Sequence, residues 1–264
     1  MKIEVLGAYG GGSVECRMTC LLINGGIALD AGSLTQSLSL ERQAEVHSII
    51  LTHSHLDHTN SLPFFIENIF DRREPIDVYA SATTIYAIRQ HLFNNSTWPD
   101  FSRLPNHLLP SVNFHTLENE MPFIIDGVRF TPIAVTHLVP TFGFLIEEDA
   151  AAVLWSSDTG PTVRLWEVGN LTPHLEAVFV ETSFDNELQR IADLSHHLTP
   201  NTMRGELAKL ERAVPTFLHH LKPPSVDSIR SQVAAMRLPD VEFLEQGRIY
   251  EFGRRTVGSV SSER

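Results

Sequence analysis

Residues 52–58 form a dense group of side chains that could bind a metal ion. Directly after an apolar, strand-like run at residues 46–51 come three histidines and one aspartate: His53, His55, Asp57 and His58. Imidazole and carboxylate groups are suitable ligands for zinc, iron or manganese. Because the group contains no thiolate, it does not match a closed structural zinc site. A strand that ends in such a loop would present these ligands from one edge of a sheet.

The spacing of these residues favours two metal ions over one. Side chains two residues apart on an extended loop point the same way, so His53 and His55 can bind one ion together. Asp57 and His58 are adjacent and are better placed to bind a second ion. Two ions about 3.5–4 Å apart can activate a bridging water and neutralise a leaving oxygen. The alternative is a chance cluster of histidines on a polar loop, which the position directly after a strand-like run disfavours.

The pattern H-x-H-x-D-H at residues 53–58 resembles the signature of the metallo-β-lactamase superfamily. The resemblance implies an α/β fold, a four-layer αβ/βα sandwich, with a dinuclear site at one edge. It also implies further ligands from separate loops, each of which follows an apolar run in this chain. The ligands implied for the first metal are His53, His55 and His137. Those implied for the second metal are Asp57, His58 and His220. The carboxylate of Asp158 would bridge the two ions.

Two further segments resemble the phosphodiesterase branch of this superfamily, which includes tRNA 3′-end endonucleases and class II cyclic-nucleotide phosphodiesterases. They are V-E-T-S-F, which contains Glu181, and S-H-H-L-T-P, which contains His196 and His197. The resemblance implies that His197 donates a proton to the leaving oxygen, while Glu181 holds the imidazole in the required tautomer and raises its pKa. His196 could compete for the first role. Both histidines could instead lie incidentally beside a helix N-terminus, with Thr199 as its cap and Pro200 in its first turn.

Other segments resemble class II cyclic-nucleotide phosphodiesterases in particular. The segment H-L-K-P, which begins at His220, is similar to that family's terminal H-I-K-P. Further segments of this kind are residues 142–146, 157–161 and 178–187. One departure is T-N-S after His58, where the family commonly has a small or apolar residue and glycine. The resemblance extends over about residues 1–250.

The reaction that this resemblance implies is hydrolysis of 3′,5′-cyclic nucleotides, such as cAMP, to 5′-monophosphates. A hydroxide bridging two divalent metal ions, zinc or alternatively manganese or iron, would attack phosphorus. Asp57 would bind the second metal and orient the nucleophile. Lys222, close to His220, could contact the phosphate, although a lysine before two prolines could equally be a surface residue.

Composition and charge agree with an enzyme that acts on a small anionic phosphodiester. The chain has 264 residues, of which 42% are hydrophobic, and we expect one domain over residues 1–264. Its formal net charge is −12, and its adjacent arginines are limited to residues 72–73 and 254–255. Long nucleic acids usually need a basic patch, so none is expected as a partner. A small anionic substrate remains compatible, because the metal ions supply local positive charge.

Other features of the sequence bear on location and assembly. No apolar run approaches the roughly 20 residues that span a bilayer, and residues 1–7 indicate a strand and not a signal peptide. Cys16 and Cys20 imply neither a disulfide framework nor a zinc ribbon, and we expect both in the core. These features predict a cytoplasmic protein without membrane contact. A homodimer is expected only because dimers are common among soluble enzymes.

Hydrophobic patterning predicts two runs of strands with helices between them. Strands are predicted at residues 3–6, 19–23, 26–30, 46–51, 76–80, 128–135, 141–147, 152–156, 177–181, 216–219 and 248–252. Helices are predicted at residues 62–70, 82–92, 202–212 and 225–236. The tripeptide N-G-G at residues 24–26 predicts a hairpin turn. Residues 94–110 could be a substrate-facing loop or a simple connection, and residues 256–264 are predicted to be a frayed tail.

The two-metal motif alone leaves several activities open. An RNA-processing nuclease of the tRNA 3′-endonuclease type would prefer oligonucleotides to cyclic mononucleotides. A thioesterase or lactonase would leave Glu181 and His197 without an evident task. A metal-bound scaffold without turnover is a further alternative, which the complete set of ligands disfavours.

Overall fold

The computed structural model describes residues 1–70, 72, 74–106 and 109–253. The predicted tail at residues 256–264, Arg73 of the first arginine pair and both arginines of the second pair lie outside these residues. In the described part of the chain, most strands belong to two seven-stranded sheets. A short two-stranded pair, β6 (Pro105–Asn106) and β7 (Leu109–Pro110), lies within the stretch that had no predicted element.

The first sheet contains seven strands, six from the N-terminal half of the chain and one from residues 249–251. In chain order they are β1 (Lys2–Gly7), β2 (Cys20–Ile23), β3 (Ile27–Leu29), β4 (Ser48–Ile50), β5 (Ile76–Ser81), β8 (Val112–Leu117) and β16 (Ile249–Glu251). Their order across the sheet is β16-β1-β2-β3-β4-β5-β8. The predicted turn between β2 and β3 is present, with Asn24 and Gly25 at positive φ angles of 49° and 81°. Strands β3, β4, β5 and β8 run parallel, so their carboxyl ends share one edge.

The second sheet is formed by consecutive strands in the order β15-β14-β13-β12-β11-β10-β9. They are β9 (Phe123–Ile125), β10 (Val128–Val135), β11 (Thr141–Glu148), β12 (Ala151–Trp155), β13 (Leu175–Glu181), β14 (Thr216–His219) and β15 (Val241–Phe243). Strands β12 to β15 are parallel, whereas β11 is antiparallel to both β10 and β12. The carboxyl ends of β10, β12, β13 and β14 therefore lie at the same edge of this sheet.

Nine helices are described in this part of the chain. They are α1 (Leu34–Ser37), α2 (Leu40–Glu45), α3 (Leu56–Thr59), α4 (Leu62–Asn68), α5 (Ala82–His91), α6 (Arg164–Leu171), α7 (Gln189–Ser195), α8 (Pro200–Leu207) and α9 (Val226–Met236). Two short 3₁₀ turns cover Asn186–Leu188 and Pro223–Ser225. None of these helices has the length and apolar character needed to cross a bilayer.

Three clusters of buried side chains show how these elements are layered. The central cluster lies between the sheets and joins side chains such as Val5 and Leu29 to Phe130 and Phe179. A second cluster packs the first sheet against α1, α4 and α5, and a third packs the second sheet against α6, α8 and α9. Each sheet thus buries one face against the other sheet and one face against helices. This confirms the predicted α/β fold, a four-layer αβ/βα sandwich.

Several local predictions differ from the structure. The helix predicted at residues 202–212 begins and ends earlier, at Pro200–Leu207. Thr199 and Thr202 form a reciprocal capping box there, which fixes the start of α8 two residues before the predicted position. The metal-binding segment is also not extended throughout, because α3 begins at Leu56. Cys20 is buried as predicted, but the prediction of a core position for Cys16 was wrong, since Cys16 is only partly buried.

Candidate metal centre

Strand ends from both sheets place the predicted ligands at one edge of the sandwich. His53 and His55 follow β4 of the first sheet, and His137 follows β10 of the second. The two sheets are connected beside this edge, where the Phe142 amide donates a hydrogen bond of 3.1 Å to the carbonyl of Thr52. Residues that are far apart in sequence can therefore converge on a single site.

The structure brings all seven predicted ligands into two overlapping groups. Within each group, ligand atoms lie within 4.8 Å of one another. One group consists of His53, His55, His137 and Asp158. The other consists of Asp57, His58, Asp158 and His220. The helical turn α3 brings the neighbours Asp57 and His58 into the same group, although they would diverge on an extended segment. Asp158 belongs to both groups.

The buried atoms of Asp158 and His53 fit the presence of metal ions. Both carboxylate oxygens of Asp158 and Nε2 of His53 are buried and have no well-directed hydrogen bond, although Nε2 of His220 and Nε2 of His58 lie 3.1 and 3.3 Å from the Asp158 carboxylate. An unpaired polar atom in a protein interior costs roughly 1–3 kcal/mol, and more when the group is charged. A cation bound by these nitrogen and oxygen atoms would remove that cost. The donor set of imidazoles and carboxylates suits a divalent ion.

The protonation states of three of the candidate ligands also fit the binding of metal ions. Burial alone would raise the pKa of Asp158, but the imidazoles of His220 and His58 hold it well below its usual range. Burial lowers the pKa of His53 well below its usual range and that of His137 to about 4. Metal ions bind ionised carboxylates and neutral imidazoles, so Asp158, His53 and His137 are ready to bind near neutral pH. His58 differs, because burial would lower its pKa but the carboxylates of Asp158 and Asp30 raise it well above its usual range, so its imidazole must lose a proton when a metal ion binds.

A hydroxyl group fixes which nitrogen of His53 faces the centre. The hydroxyl of Thr52 donates to the carboxylate of Asp30 at 3.0 Å and lies 3.0 Å from Nδ1 of His53. Because this hydroxyl has one proton, it must accept the Nδ1–H of His53. The lone pair of the His53 ring is then on Nε2, the nitrogen that points into the centre. Asp30 also lies 2.7 Å from Nδ1 of His58, which leaves Nε2 of that ring towards Asp158.

A second hydroxyl, that of Ser183, orients His220 in the same manner. Its oxygen lies 2.9 Å from the Glu181 carboxylate and 2.9 Å from Nδ1 of His220. Donation to Glu181 leaves Ser183 to accept the Nδ1–H of His220, so the lone pair on Nε2 faces the centre. Nδ1 of His137 is likewise 3.1 Å from the backbone carbonyl of His196, to which it donates.

His197 lies beside the two groups, with its ring held by Glu181. Nδ1 of His197 is 2.7 Å from Oε1 of Glu181, which is fully buried. Burial would lower the pKa of His197, but the Glu181 carboxylate raises it overall. The His197 ring centroid is 4.9 Å from that of His137 and 5.4 Å from that of His220. Because Nδ1 is engaged by Glu181, Nε2 is the atom available to a reacting group.

His196 is oriented differently from its neighbour. His196 directly follows α7 and has the left-handed backbone conformation, with φ 55°. Its backbone carbonyl accepts a hydrogen bond from the candidate ligand His137. The side chain of Lys222, in contrast, reaches the centre, where Nζ lies 3.2 Å from Oδ2 of Asp57. His197 and Lys222 therefore lie beside the candidate ligands, as their predicted roles require.

The backbone at Gly10 passes so close to His220 that a larger residue would displace it. A Cβ atom at position 10 would lie 2.5 Å from Cε1 and 2.7 Å from Nδ1 of His220. We expect Gly10→Ala to shift the ring and lower metal affinity about 10–100-fold, as happens when the support of a ligand is lost. Metal titration of the purified variant measures this. Gly12→Ala is the matched control, because a Cβ atom at position 12 would lie 3.7 Å from its nearest neighbour, the Cε atom of Met18, which is an ordinary contact distance. Equal affinity in both variants would contradict the prediction.

Comparison with known families identifies the superfamily of this chain. A family model described as "Beta-lactamase superfamily domain" matches residues 19–220, which is more than half of the chain and includes both ligand groups. The chain belongs to the metallo-β-lactamase superfamily. The resemblance predicted from residues 53–58 is thereby confirmed.

Two curated relatives of this chain have names that describe a phosphodiesterase and a ribonuclease. The Yersinia pestis protein named "Probable 3′,5′-cyclic-nucleotide phosphodiesterase" is 27% identical over an alignment of 219 residues that covers 73% of this chain and 62% of that relative. Ribonuclease Z of Metallosphaera sedula is 26% identical over an alignment of 162 residues that covers 58% of this chain and 51% of that relative. The chain thus spans less than two thirds of the length of either relative.

Solved structures of superfamily members share the whole fold. Unliganded yeast PDE1 superposes with a TM-score of 0.77 at 16% identity, covering 94% of this chain and 98% of that one. The Bacillus subtilis metallo-β-lactamase fold protein YhfI gives 0.75 at 14% identity, with 96% and 98% covered. The short form of human tRNase Z gives 0.68 at 17% identity, with 96% and 100% covered. At these identities the likeness shows the fold alone.

Three residues of this superfamily site were missed in the sequence. Asp30, Thr52 and Ser183 orient candidate ligands but contribute no ligand atom to the two groups. A weak signal existed for two of them, since Asp30 ends a buried strand and Thr52 directly precedes His53. Nothing in the local sequence distinguishes the hydroxyl of Ser183 from that of Thr182.

Proposed function

We propose that this protein is a metal-dependent phosphodiesterase that hydrolyses 3′,5′-cyclic nucleotides to nucleoside 5′-monophosphates. The observation that carries the proposal is the Glu181–His197 pair, which lies against the two ligand groups with a nitrogen of His197 available. A thioesterase would expel a thiolate, which is a weaker base than an alkoxide and depends less on a proton donor. A phosphodiesterase must protonate a ribose alkoxide, which His197 is suited to do.

We propose that the two groups hold two divalent ions, with Asp158 shared between them. The nitrogen-rich donor set favours zinc, and manganese or iron also accept these ligands. When bound, the ions supply an activated water and neutralise charge on the phosphate. Asp57 and Lys222 form an ion pair at the second ligand group. Asp57 can therefore orient the water while Lys222 contacts a phosphate oxygen.

In the reaction, His197 gives the proton on Nε2 to the departing 3′ oxygen of the ribose. Glu181 stabilises the protonated ring through its 2.7 Å contact with Nδ1. Its other oxygen, Oε2, accepts hydrogen bonds from the amides of Ser183 and Leu198 at 3.0 and 3.2 Å. These bonds hold the carboxylate in place, so the His197 ring stays aligned during proton transfer.

The cyclic-nucleotide substrate is supported by the Yersinia relative, which is similar over more of this chain than the ribonuclease is. The net charge of −12 also disfavours a long polyanion as substrate. We further propose that the chain acts as a single domain, because both sheets contribute side chains to the central core. An RNA-processing nuclease is the second candidate, favoured by the similarity to ribonuclease Z.

We expect metal-loaded protein to hydrolyse both 3′,5′-cyclic AMP and bis(p-nitrophenyl) phosphate, and Asp57→Ala to hydrolyse neither. Asp57→Ala removes one carboxylate from the second ligand group. The matched control is Asp227→Ala, at an exposed position in α9, which should keep full activity. A short precursor-tRNA substrate is assayed in parallel by gel electrophoresis. Cleavage of the precursor without cleavage of cyclic AMP would favour the nuclease. Cleavage of none of the three substrates would overturn the proposed function.

A further inference from the structure

A cavity of about 390 Å³ adjoins the metal-binding segment. Ser54 and Leu56 form one wall, and α5 with the residues after it forms the other, through Ala87, His91, Leu92 and Thr97. Cavities of about 300–1,000 Å³ with mainly apolar walls are typical of small-molecule sites. None of the residues that line this cavity is a lysine, arginine, aspartate or glutamate.

The cavity and the candidate metal centre lie against the same short segment of backbone. Ser54 and Leu56 flank His55, a member of the first ligand group, and Leu56 also precedes Asp57 of the second group. Leu56 is 64% exposed, so an apolar side chain stands in solvent between two candidate ligands. A substrate that is anchored at the centre by its phosphate can place its remaining part over Leu56.

We propose that this cavity binds the nucleobase of the substrate. The inference rests on the proposed function and specifies where the non-reacting part of the nucleotide lies. Leu56, Ala87 and Leu92 provide apolar surfaces for the faces of a planar heterocycle. The hydroxyls of Ser54 and Thr97 and the imidazole of His91 can form hydrogen bonds with its polar edge.

The lining of the cavity favours a neutral base over further phosphates. A chain of RNA would place additional phosphates next to the scissile one, and such phosphates require nearby cations. The lysine that approaches the centre, Lys222, lies beside Asp57 and does not line the cavity. The cavity therefore suits a mononucleotide, in which one phosphate is held at the metal centre and one base lies against α5.

Filling the cavity from α5 tests this inference without altering the metal-binding segment. In Ala87→Trp, the new ring would occupy the space, and we expect KM for 3′,5′-cyclic AMP to rise at least tenfold. The value of kcat/KM for 1-deoxyribose 3′,5′-cyclic phosphate, which has no base, should stay within twofold of the wild type. Thr83→Trp, at an exposed position of the same helix outside the cavity, is the matched control. Thr97→Trp on the opposite rim serves as a second cavity-filling variant if Ala87→Trp does not fold.

Equilibrium binding of adenosine separates this inference from the proposed function, because it needs no turnover. Calorimetric titration of metal-loaded wild type should detect adenosine, and Ala87→Trp or Thr97→Trp should weaken the binding at least tenfold. Adenosine binding that both variants retain, or that the wild type lacks, would overturn the inference. If the wild type bound adenosine in this cavity but did not hydrolyse cyclic AMP, the proposed reaction would be wrong while the base site stood.

Discussion

Asp158→Asn is expected to lower kcat/KM for phosphodiesters about 1,000-fold and to reduce the amount of metal that the protein retains. Asparagine has the shape of aspartate but lacks its charge, and only one of its two terminal atoms can accept a metal ion. Asp158 is the residue common to both ligand groups, so one substitution weakens both. Metal ions contribute several kcal/mol to such reactions, which corresponds to a loss of this size.

Two measurements test the role of Asp158 independently. Mass spectrometry of dialysed protein gives the metal content. The increase of Tm on adding zinc shows how strongly zinc binds the folded protein. We expect both to fall in Asp158→Asn. The matched control is Asp149→Asn, an exposed residue at a positive φ of 53°, where asparagine is well tolerated. An unchanged zinc-induced rise of Tm in Asp158→Asn would exclude Asp158 as a ligand.

His197→Ala is expected to lower kcat for 3′,5′-cyclic AMP by about 10²–10⁴-fold, the usual contribution of a general acid. The effect on bis(p-nitrophenyl) phosphate should be much smaller, because p-nitrophenolate is a stable anion that leaves without a proton. Steady-state kinetics with both substrates gives the two ratios. Metal content should remain that of the wild type, since His197 belongs to neither of the two ligand groups that share Asp158.

His196→Asn is the matched control for this substitution. Asparagine tolerates the left-handed conformation of residue 196 and preserves the carbonyl that accepts the hydrogen bond of His137. We expect it to retain activity on cyclic AMP. An equal loss on both substrates in His197→Ala, or a loss of metal, would mean that His197 acts as a ligand or as a structural residue.

The dependence of kcat on pH follows from the same assignment. Glu181 raises the pKa of His197, and only the protonated ring can donate a proton. The rate on cyclic AMP should therefore fall as pH rises through this pKa. Glu181→Gln removes the negative charge, so the fall should occur at lower pH than in the wild type. A fall at the same pH in both proteins would show that another group controls it.

The sequence determined the identity and the order of the candidate ligands. The motif at residues 53–58 is short, and its relation to the strand before it depends on local hydrophobic patterning, which single-sequence reasoning detects well. His137, Asp158 and His220 could be found because each follows the apolar run of a buried strand. The fold was predictable from the same residues, since they resemble one superfamily in which an α/β sandwich carries the site.

Only the tertiary structure decided how these residues share the site and what orients them. The hydroxyl of Thr52 meets Asp30 across 22 residues of sequence, and that of Ser183 meets His220 across 37. Such contacts depend on how two sheets pack, and no local pattern encodes them. The cavity beside α5 exists for the same reason, because it lies between two elements that meet only in the folded chain.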